Sequence, residues 1–278
     1  MEASIVIAVY NKPHILRLIL EAYGRQCRGA FEIIVADDGS GDDVAAVVRD
    51  ARDKYSFPVQ HLWHEDEGWR KNVMLNNAIR AAESGYMIFT DGDCLPHRLF
   101  VEDHLREREP GHYLCGRRVE MSARWSEKLT EASVRSGAFE RIGVAEWRDG
   151  LTGHAQRIED GLRFESRRIR NILHASPRGM LGSNFSVHRE VLERINGFDE
   201  EYDGPGCGED SDVQLRLDLA GWRCKSLRHL AIQYHVHHPR TTVPQRCLDR
   251  FERARLAQLP RCRKGLIHEA VNSDESIS

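Results

Sequence analysis

The N-terminal third of the chain carries the feature that most narrows its fold. Short apolar runs, rich in β-branched residues, each end in a polar cluster and are followed by apolar residues at helical spacing. Ser4 to Val9 (SIVIAV), Phe31 to Ala36 (FEIIVA) and Tyr86 to Thr90 (YMIFT) read as buried strands, with Pro58 to Trp63 a weaker one. Runs that are apolar on both faces suit a parallel sheet covered on both sides. Ile15, Leu16, Leu18, Ile19 and Tyr23 recur at helical spacing, Val44, Val47 and Val48 continue a second helix, and Asn72 to Ala82 form a third. This βαβαβαβ order predicts an α/β fold, a mostly parallel central sheet with helices on both faces. In such sheets ligands bind beyond the carboxyl ends of the strands. Three strands run directly into polar clusters, Tyr10-Asn11, Asp37-Asp38 and Asp91-Gly92-Asp93, which are expected to share one rim.

The second half is less regular. Gly116 to Arg178 holds 13 basic and 9 acidic residues, with helical patterns over Trp125 to Ala138 and Leu162 to Leu173. Gly179 to Val187 reads as a strand or tight loop, Arg189 to Ile195 and Asp210 to Ala220 as helices, and Leu230 to Val236 as a strand. Cys247 to Leu259 reads as a basic helix, and the closing NSDESIS as a disordered tail. With 41% hydrophobic residues the 278-residue chain has enough apolar material for a real core. A formal net charge of -3 gives no global basic excess of the kind that marks nucleic-acid binding. No apolar run approaches the roughly 18 residues of a spanning helix, and no leader pattern opens the chain. The seven cysteines are odd in number and lack a CxxC pair, which argues against a disulfide framework or zinc ribbon. The expected location is therefore a reducing cytoplasm.

Four motifs carry chemistry. Asp91-Gly92-Asp93 sets two carboxylates about a glycine, a set that suits a hard cation such as Mg²⁺ or Mn²⁺ shared with a diphosphate; the same triplet also serves ordinary turns. No GxxxxGK[ST] loop and no glycine-rich dinucleotide fingerprint occurs, so phosphates would be neutralised by metal and arginine instead. Asp37-Asp38-Gly39-Ser40 is either a turn that caps the next helix or an acceptor for base and ribose donors. Glu209-Asp210-Ser211-Asp212 opens a helix behind Gly204, Gly206 and Gly208. Acidic residues are expected at a helix N-terminus, yet three in four residues also suit a general base, since crowded carboxylates raise one another's pKa. In His235-Val236-His237-His238, a strand would put His235 and His237 on one face, as metal ligands or as core histidines.

Taken in order, these pieces resemble the family 2 glycosyltransferases of the GT-A fold, over roughly residues 3 to 240. Val9-Tyr10-Asn11, Asp37-Asp38-Gly39-Ser40, Asp91-Gly92-Asp93, Gly182-Ser183-Asn184-Phe185-Ser186, Asn196-Gly197-Phe198-Asp199, Glu209-Asp210-Ser211-Asp212 and the late histidines carry the resemblance. The Asn196 to Asp212 segment is most similar to bacterial members that build lipopolysaccharide core or capsule, and to the C-terminal half of galactosyltransferases. The resemblance implies a nucleotide-sugar subdomain over 1–115, an acceptor-binding and catalytic subdomain with a helical insertion over 116–240, and a basic helix and tail over 241–278. It implies that Val9, Tyr10 and Asn11 line the uracil and ribose pocket, that Asp38 and Asp37 bond the base, and that Arg70 approaches the nucleotide. Asp91 and Gly92 would flank the ribose. Asp93, with Asp91, His235 and His237, would hold the metal, with His238 in reserve. Asp210 would be the base, Glu209 and Asp212 would hold sugar hydroxyls, and Asn184 would floor the sugar pocket. One departure stands out: the family's Gly-Trp-Gly before the acidic pair is here Gly206-Cys207-Gly208.

The implied reaction is an inverting transfer of a hexose or N-acetylhexosamine from a UDP-sugar to a glycan hydroxyl. Two other classes share parts of the pattern. A nucleotidyltransferase would need a glycine- and basic-rich loop after the first strand, which Val9 to Pro13 lacks. A non-catalytic sugar-nucleotide-binding domain would not need the full acidic and histidine set. Finally, Arg240 to Lys264 carries eight basic residues against Asp249 and Glu252, with Leu248, Phe251 and Leu259 interleaved. That pattern fits either peripheral contact with the anionic inner face of a membrane and a lipid-linked acceptor, or a solvated helix packed on the domain.

Overall fold

The computed structural model describes residues 1–173, 179–205, 209–239 and 242–268. The elements are β1 (Ala3–Val9), α1 (Pro13–Tyr23), β2 (Phe31–Asp37), α2 (Asp42–Lys54), β3 (Val59–Trp63), α3 (Lys71–Ala81) and β4 (Tyr86–Asp91). There follow β5 (Cys94–Pro96), α4 (Phe100–Glu107), β6 (His112–Cys115), β7 (Arg118–Glu120), α5 (Ala123–Ser126), α6 (Glu131–Arg135), α7 (Val144–Leu151) and α8 (Arg167–Leu173). The chain continues through β8 (Phe185–His188), α9 (Arg189–Arg194), α10 (Glu209–Leu219), β9 (Arg223–Ser226), β10 (Gln233–His235) and α11 (Gln245–Ala257).

A seven-stranded sheet in the order β3-β2-β1-β4-β8-β6-β9 forms the centre. Strands β1 to β4 are mutually parallel, β8 runs antiparallel to both β4 and β6, and β9 is parallel to β6. β1 lies between β2 and β4, with Ile5 paired to Ile33 on one side and Ile88 on the other. The chain winds from β1 outward through β2 to β3 and then returns to β4 on the other side of β1, a switch that opens a crevice at the strands' carboxyl ends. Alternation along β1 divides the core. Ile5, Ile7 and Val9 pack with Leu16, Ile19 and Val47, whereas Val6 packs with Met74, Phe89 and Val213 on the other face. Fully burying an isoleucine is worth roughly 1.5 to 3 kcal/mol, so the central strand is held from both sides. Pro13 sets the first turn of α1, where its missing N–H costs nothing.

A second, three-stranded sheet has the order β5-β10-β7. Its register sets His235 beside Cys94 on one side and beside Glu120 on the other.

The second half departs from the sequence pattern in identifiable ways. Trp125 to Ala138 is not one helix: Ser122 and Thr130 each cap a separate short one, α5 and α6. The helix expected from Leu162 begins only at Arg167. Backbone groups ahead of it are taken elsewhere: the Leu162 carbonyl contacts His229 Nδ1, and Arg170 donates to the carbonyls of Phe164 and Glu165. The strand expected over Leu230 to Val236 shrinks to three residues, because His229 and Ala231 have positive φ. Gly206-Cys207-Gly208, Arg240 and the NSDESIS tail lie outside the described residues. Among the described residues no helix is long and apolar enough to cross a membrane.

Candidate active site

The loops after β1 and β2 are stitched together. Asn11 adopts a φ of 49°, a left-handed conformation that asparagine tolerates. Its N–H donates to Ser40 Oγ at 2.8 Å, and its Oδ1 accepts from the Gly41 N–H at 3.1 Å. Tyr10 stays half exposed and donates from its hydroxyl to Asp66 Oδ2 at 2.8 Å. That hydrogen bond raises the tyrosine pKa and lowers that of Asp66. Asp38 accepts the Arg70 N–H on both oxygens (3.2 and 3.0 Å) and meets His64 Nε2 at 2.9 Å. Burial outweighs these contacts and leaves the Asp38 carboxyl above its usual range. The Arg70 side chain itself pairs with Glu67.

Asp37 and Val9 take other places than the resemblance implies. Asp37 is fully buried, accepting from the Ser40 N–H at 2.9 Å and contacting His61 Nε2 at 2.8 Å. It braces the turn against β3, so only Asp38 of the pair faces the rim. Val9 is 3% exposed and belongs to the core.

The β4 end is built on a glycine that cannot be replaced cheaply. The Gly92 N–H donates to the Ala8 carbonyl at 2.7 Å, and a Cβ at Gly92 would lie 2.7 Å from that same oxygen. The close approach to β1 presents Asp91 and Asp93 at the rim. Lys71 Nζ donates to Asp91 Oδ1 at 2.8 Å, and Arg118 lies 3.8 Å from Oδ2. Asp93 Oδ2 accepts from Lys12 Nζ at 2.7 Å.

Around Asp93 the chain gathers two imidazoles. His235 Nε2 is 3.4 Å from Oδ1, His238 Nε2 is 3.4 Å from Oδ2, and the two ring nitrogens are 3.2 Å apart. One ligand atom from each of the three lies within 4.8 Å of the others. The far side of each ring fixes what the near side can do. His235 Nδ1 meets Glu120 Oε2 at 2.6 Å, and His238 Nδ1 meets the Pro239 carbonyl at 2.8 Å. A carboxylate and a carbonyl can only accept, so each Nδ1 carries a proton, and in the neutral tautomer each Nε2 would present a lone pair. Three acceptors thus converge on one another, an arrangement that calls for a cation or an added proton. Two imidazoles and a carboxylate are a donor set for a divalent first-row metal ion, and the carboxylate is the member that suits Mn²⁺. Burial alone would raise the Asp93 carboxyl, but with the added proton on Nε2 His235 and His238 donate to it and hold it well below the usual carboxylate range. Burial likewise pushes His235 down, and bonds to Asp93 and Glu120 override it to raise its pKa.

His237 falls outside this group. β10 ends at His235, so alternation does not extend to residue 237; the backbone turns and brings the residue three positions on over the first ring instead. The His237 N–H donates to Ser126 Oγ, and its side chain borders a surface recess with His14 and Leu129. Asp91 also stands apart from the group, held by Lys71 and Arg118.

Asp210 lies in the first turn of α10 and is partly exposed. Its Oδ2 accepts the Gly182 N–H at 3.0 Å and its Oδ1 the Ser211 N–H at 2.7 Å. The Glu209 side chain lies outside the described residues. Asp212 is 1% exposed and makes a buried pair with Arg216 (2.6 and 2.7 Å), so it fastens α10 rather than facing a sugar. Asn184 is likewise a strut. It is fully buried, donates to the carbonyls of Arg117 (2.9 Å) and Ala231 (2.8 Å), and its Oδ1 faces His104 Nε2 at 3.1 Å.

Residues absent from the sequence reading also enter the site: besides His64 and Asp66 at the β2 end, Lys12, Lys71, Arg118 and Glu120 surround the two aspartates. The two lysines adjoin residues already singled out, Asn11 and Arg70, and that adjacency was the available signal. Arg118 and Glu120 sit in a three-residue strand with no motif. Arg118 donates to Glu120 Oε1 (2.9 Å) and Ser183 Oγ (3.2 Å) besides approaching Asp91, and so ties the walls together.

Comparison with known proteins places the chain by family and by fold. The profile of Glycosyl transferase family 2 matches residues 4–195, and one described as the N-terminal domain of galactosyltransferase matches residues 173–239. The hyaluronan synthase of Pasteurella multocida is 25% identical over 252 residues, which is 85% of this chain and 24% of that protein. The chondroitin synthase of Escherichia coli is 26% identical over 85% of this chain and 35% of its own length. A validoxylamine A glucosyltransferase of Streptomyces hygroscopicus is 27% identical over 78% of this chain and 51% of its length. The chain therefore spans a quarter to a half of these relatives. Among solved structures, S. aureus TarS 1-349 in complex with UDP superposes with a TM-score of 0.59 at 18% identity, over 93% of this chain and 65% of that one. A mannosyltransferase from Pyrobaculum calidifontis in complex with GDP-Man and Mn2+ gives 0.56 at 18% identity, over 91% and 60%. The fold is GT-A, and with the family profile spanning more than half of its residues the chain belongs to glycosyltransferase family 2.

Proposed function

We propose that the chain transfers a hexose or N-acetylhexosamine from a UDP-sugar to a hydroxyl of a glycan acceptor, with inversion, in cell-surface polysaccharide synthesis. The observation that carries this reading is the convergence of Asp93, His235 and His238 at the carboxyl end of β4, facing the crevice beside β1. Those three residues would hold Mn²⁺ or Mg²⁺, with His238 in the place that the sequence pattern assigned to His237. A bound cation there neutralises the charge of the departing nucleoside diphosphate. Lys12 and Lys71, already paired to the two aspartates, supply further positive charge on the same side. Tyr10, Asp38, Asp66 and Arg70 border the place for the base, and Asp91 the ribose. Asp210 takes the proton of the attacking hydroxyl. The relatives named for hyaluronan, chondroitin and validoxylamine A support a sugar-nucleotide donor, and TarS has been captured with UDP-GlcNAc.

The reading includes peripheral contact with an anionic membrane through α11 and its flanks, which would place the chain at the cytoplasmic face. Leu248, Leu256 and Leu259 are exposed there. Arg246, Arg250 and Arg255 pair with Asp203, Asp199 and Glu252, so less charge is free than the composition of 240–264 implies.

The test is UDP release from a panel of UDP-sugars, with Asp210→Asn and Asp93→Ala alongside the parent. Asp210→Asn should bind UDP with parental affinity and fail to transfer, whereas Asp93→Ala should lose both transfer and metal-dependent UDP affinity. Near-parental transfer by Asp210→Asn would remove the base from the account. Release of inorganic pyrophosphate from a nucleoside triphosphate and sugar phosphate would favour a nucleotidyltransferase instead.

A further inference from the structure

We infer that Glu120 is the positioning residue of the cation site, holding the His235 imidazole in the tautomer and rotation that aim Nε2 at Asp93 and His238. This rests on reading Asp93, His235 and His238 as a cation site.

The small sheet is the frame that makes this possible. β10 is flanked by β5 and β7, and His235 is in register with Cys94 on one side and Glu120 on the other. Cys94 directly follows Asp93. One three-residue strand thus carries the imidazole, and its two neighbours bring one carboxylate to each ring nitrogen. Glu120 Oε2 meets Nδ1 at 2.6 Å, the length of a charge-assisted hydrogen bond, while Asp93 faces Nε2.

Glu120 is itself held. Its other oxygen accepts from Arg118 Nε at 2.9 Å, and Arg118 is anchored by Ser183. The carboxylate uses one oxygen per partner and cannot swing away without breaking the second bond. Arg118, paired with the same carboxylate at 2.9 Å, favours its ionised, accepting form. An ionised acceptor on Nδ1 keeps the proton there and raises the basicity of Nε2. Removing such a partner from a metal-bound histidine typically costs 10- to 100-fold in metal affinity. His238 Nδ1 is backed by the Pro239 carbonyl, a weaker acceptor than a carboxylate, so Glu120 is the stronger of the two supports.

The experiment measures Mn²⁺ affinity from the free-ion electron paramagnetic resonance signal, and UDP affinity by calorimetry in chelator, for the full chain and for Glu120→Ala, Glu120→Gln and His235→Ala. Glu120→Ala should bind Mn²⁺ roughly 10- to 100-fold more weakly. Glu120→Gln keeps an acceptor without the charge and should recover part of that loss. UDP affinity in chelator should change by less than about twofold, which a general disturbance of the fold would not allow. If Glu120→Ala does not fold, Glu120→Gln decides: a several-fold weaker Mn²⁺ affinity supports the assignment. Parental Mn²⁺ affinity in a folded Glu120 variant, with His235→Ala defective, overturns it. If His235→Ala also binds Mn²⁺ as the parent does, the cation site itself fails.

Discussion

Replacing Asn184 by alanine separates a structural strut from a sugar ligand. The side chain is fully buried and its three polar contacts all lie inside the protein. Truncation removes the hydrogen bonds that the side chain makes to the carbonyls of Arg117 and Ala231 and to the Nε2 of His104. An orphaned buried group costs about 1 to 3 kcal/mol, and neighbours sharing one cavity relax together, so the expected total is about 3 to 5 kcal/mol. For a domain of this size that is a large share of the total stability, which is typically about 5 to 15 kcal/mol. The assay is urea unfolding followed by near-ultraviolet dichroism, with the midpoint and slope read separately. The midpoint should fall steeply at an unchanged slope, and the folded fraction should bind UDP-sugar nearly as the parent does. A stability loss under about 1 kcal/mol together with lost sugar-nucleotide affinity would refute the reasoning and return Asn184 to the sugar pocket.

His104, in the same network, supplies a pH test. Burial pushes its pKa down to about 3, so the folded state holds it neutral. The unfolded chain binds that proton below about 6.5, so stability must fall as pH drops from there toward 3, by at most about 1.4 kcal/mol per pH unit from this group. His104→Gln should flatten that limb of the stability curve, and an unchanged limb would show that another group is responsible. For α11, Leu248→Ser with Leu256→Ser and Leu259→Ser should reduce co-sedimentation with vesicles rich in anionic phospholipid while UDP affinity stays parental. Equal sedimentation of parent and variant would leave α11 as a packed, solvated helix.

What the sequence could disclose follows from how each part is held. β1, β2 and β4 announce themselves because a strand buried on both faces is mostly apolar, the buried Ser4–Glu32 pair excepted, and Asp91-Gly92-Asp93 is legible by its contrast with the apolar run before it. The small sheet is hidden, since three residues of β5, β7 or β10 cannot display a period. That is why Glu120 and Arg118 escape notice, and why the strand rule selects His237 when the chain in fact turns to bring His238 over His235. Asp37, Asp212 and Asn184 show the complementary error. Each is a polar residue beside a rim position, and residue type does not distinguish a group that faces ligand from one that braces the wall. Burial and partners decide, and these depend on how the chain packs: on His61 for Asp37 and Ala231 for Asn184, both distant in sequence, and for Asp212 on Tyr202 and on Arg216 one helical turn away.

The central claim is that a cation held by Asp93, His235 and His238 assists departure of a nucleoside diphosphate from a sugar. The most direct measurement is UDP released from UDP-sugar by the full chain in Mn²⁺ and in chelator, with the His235→Ala, His238→Ala and His237→Ala variants run in parallel. Release should require Mn²⁺, fall sharply in the first two variants and persist in His237→Ala. Equal release in chelator, or loss in His237→Ala with His238→Ala active, would contradict it.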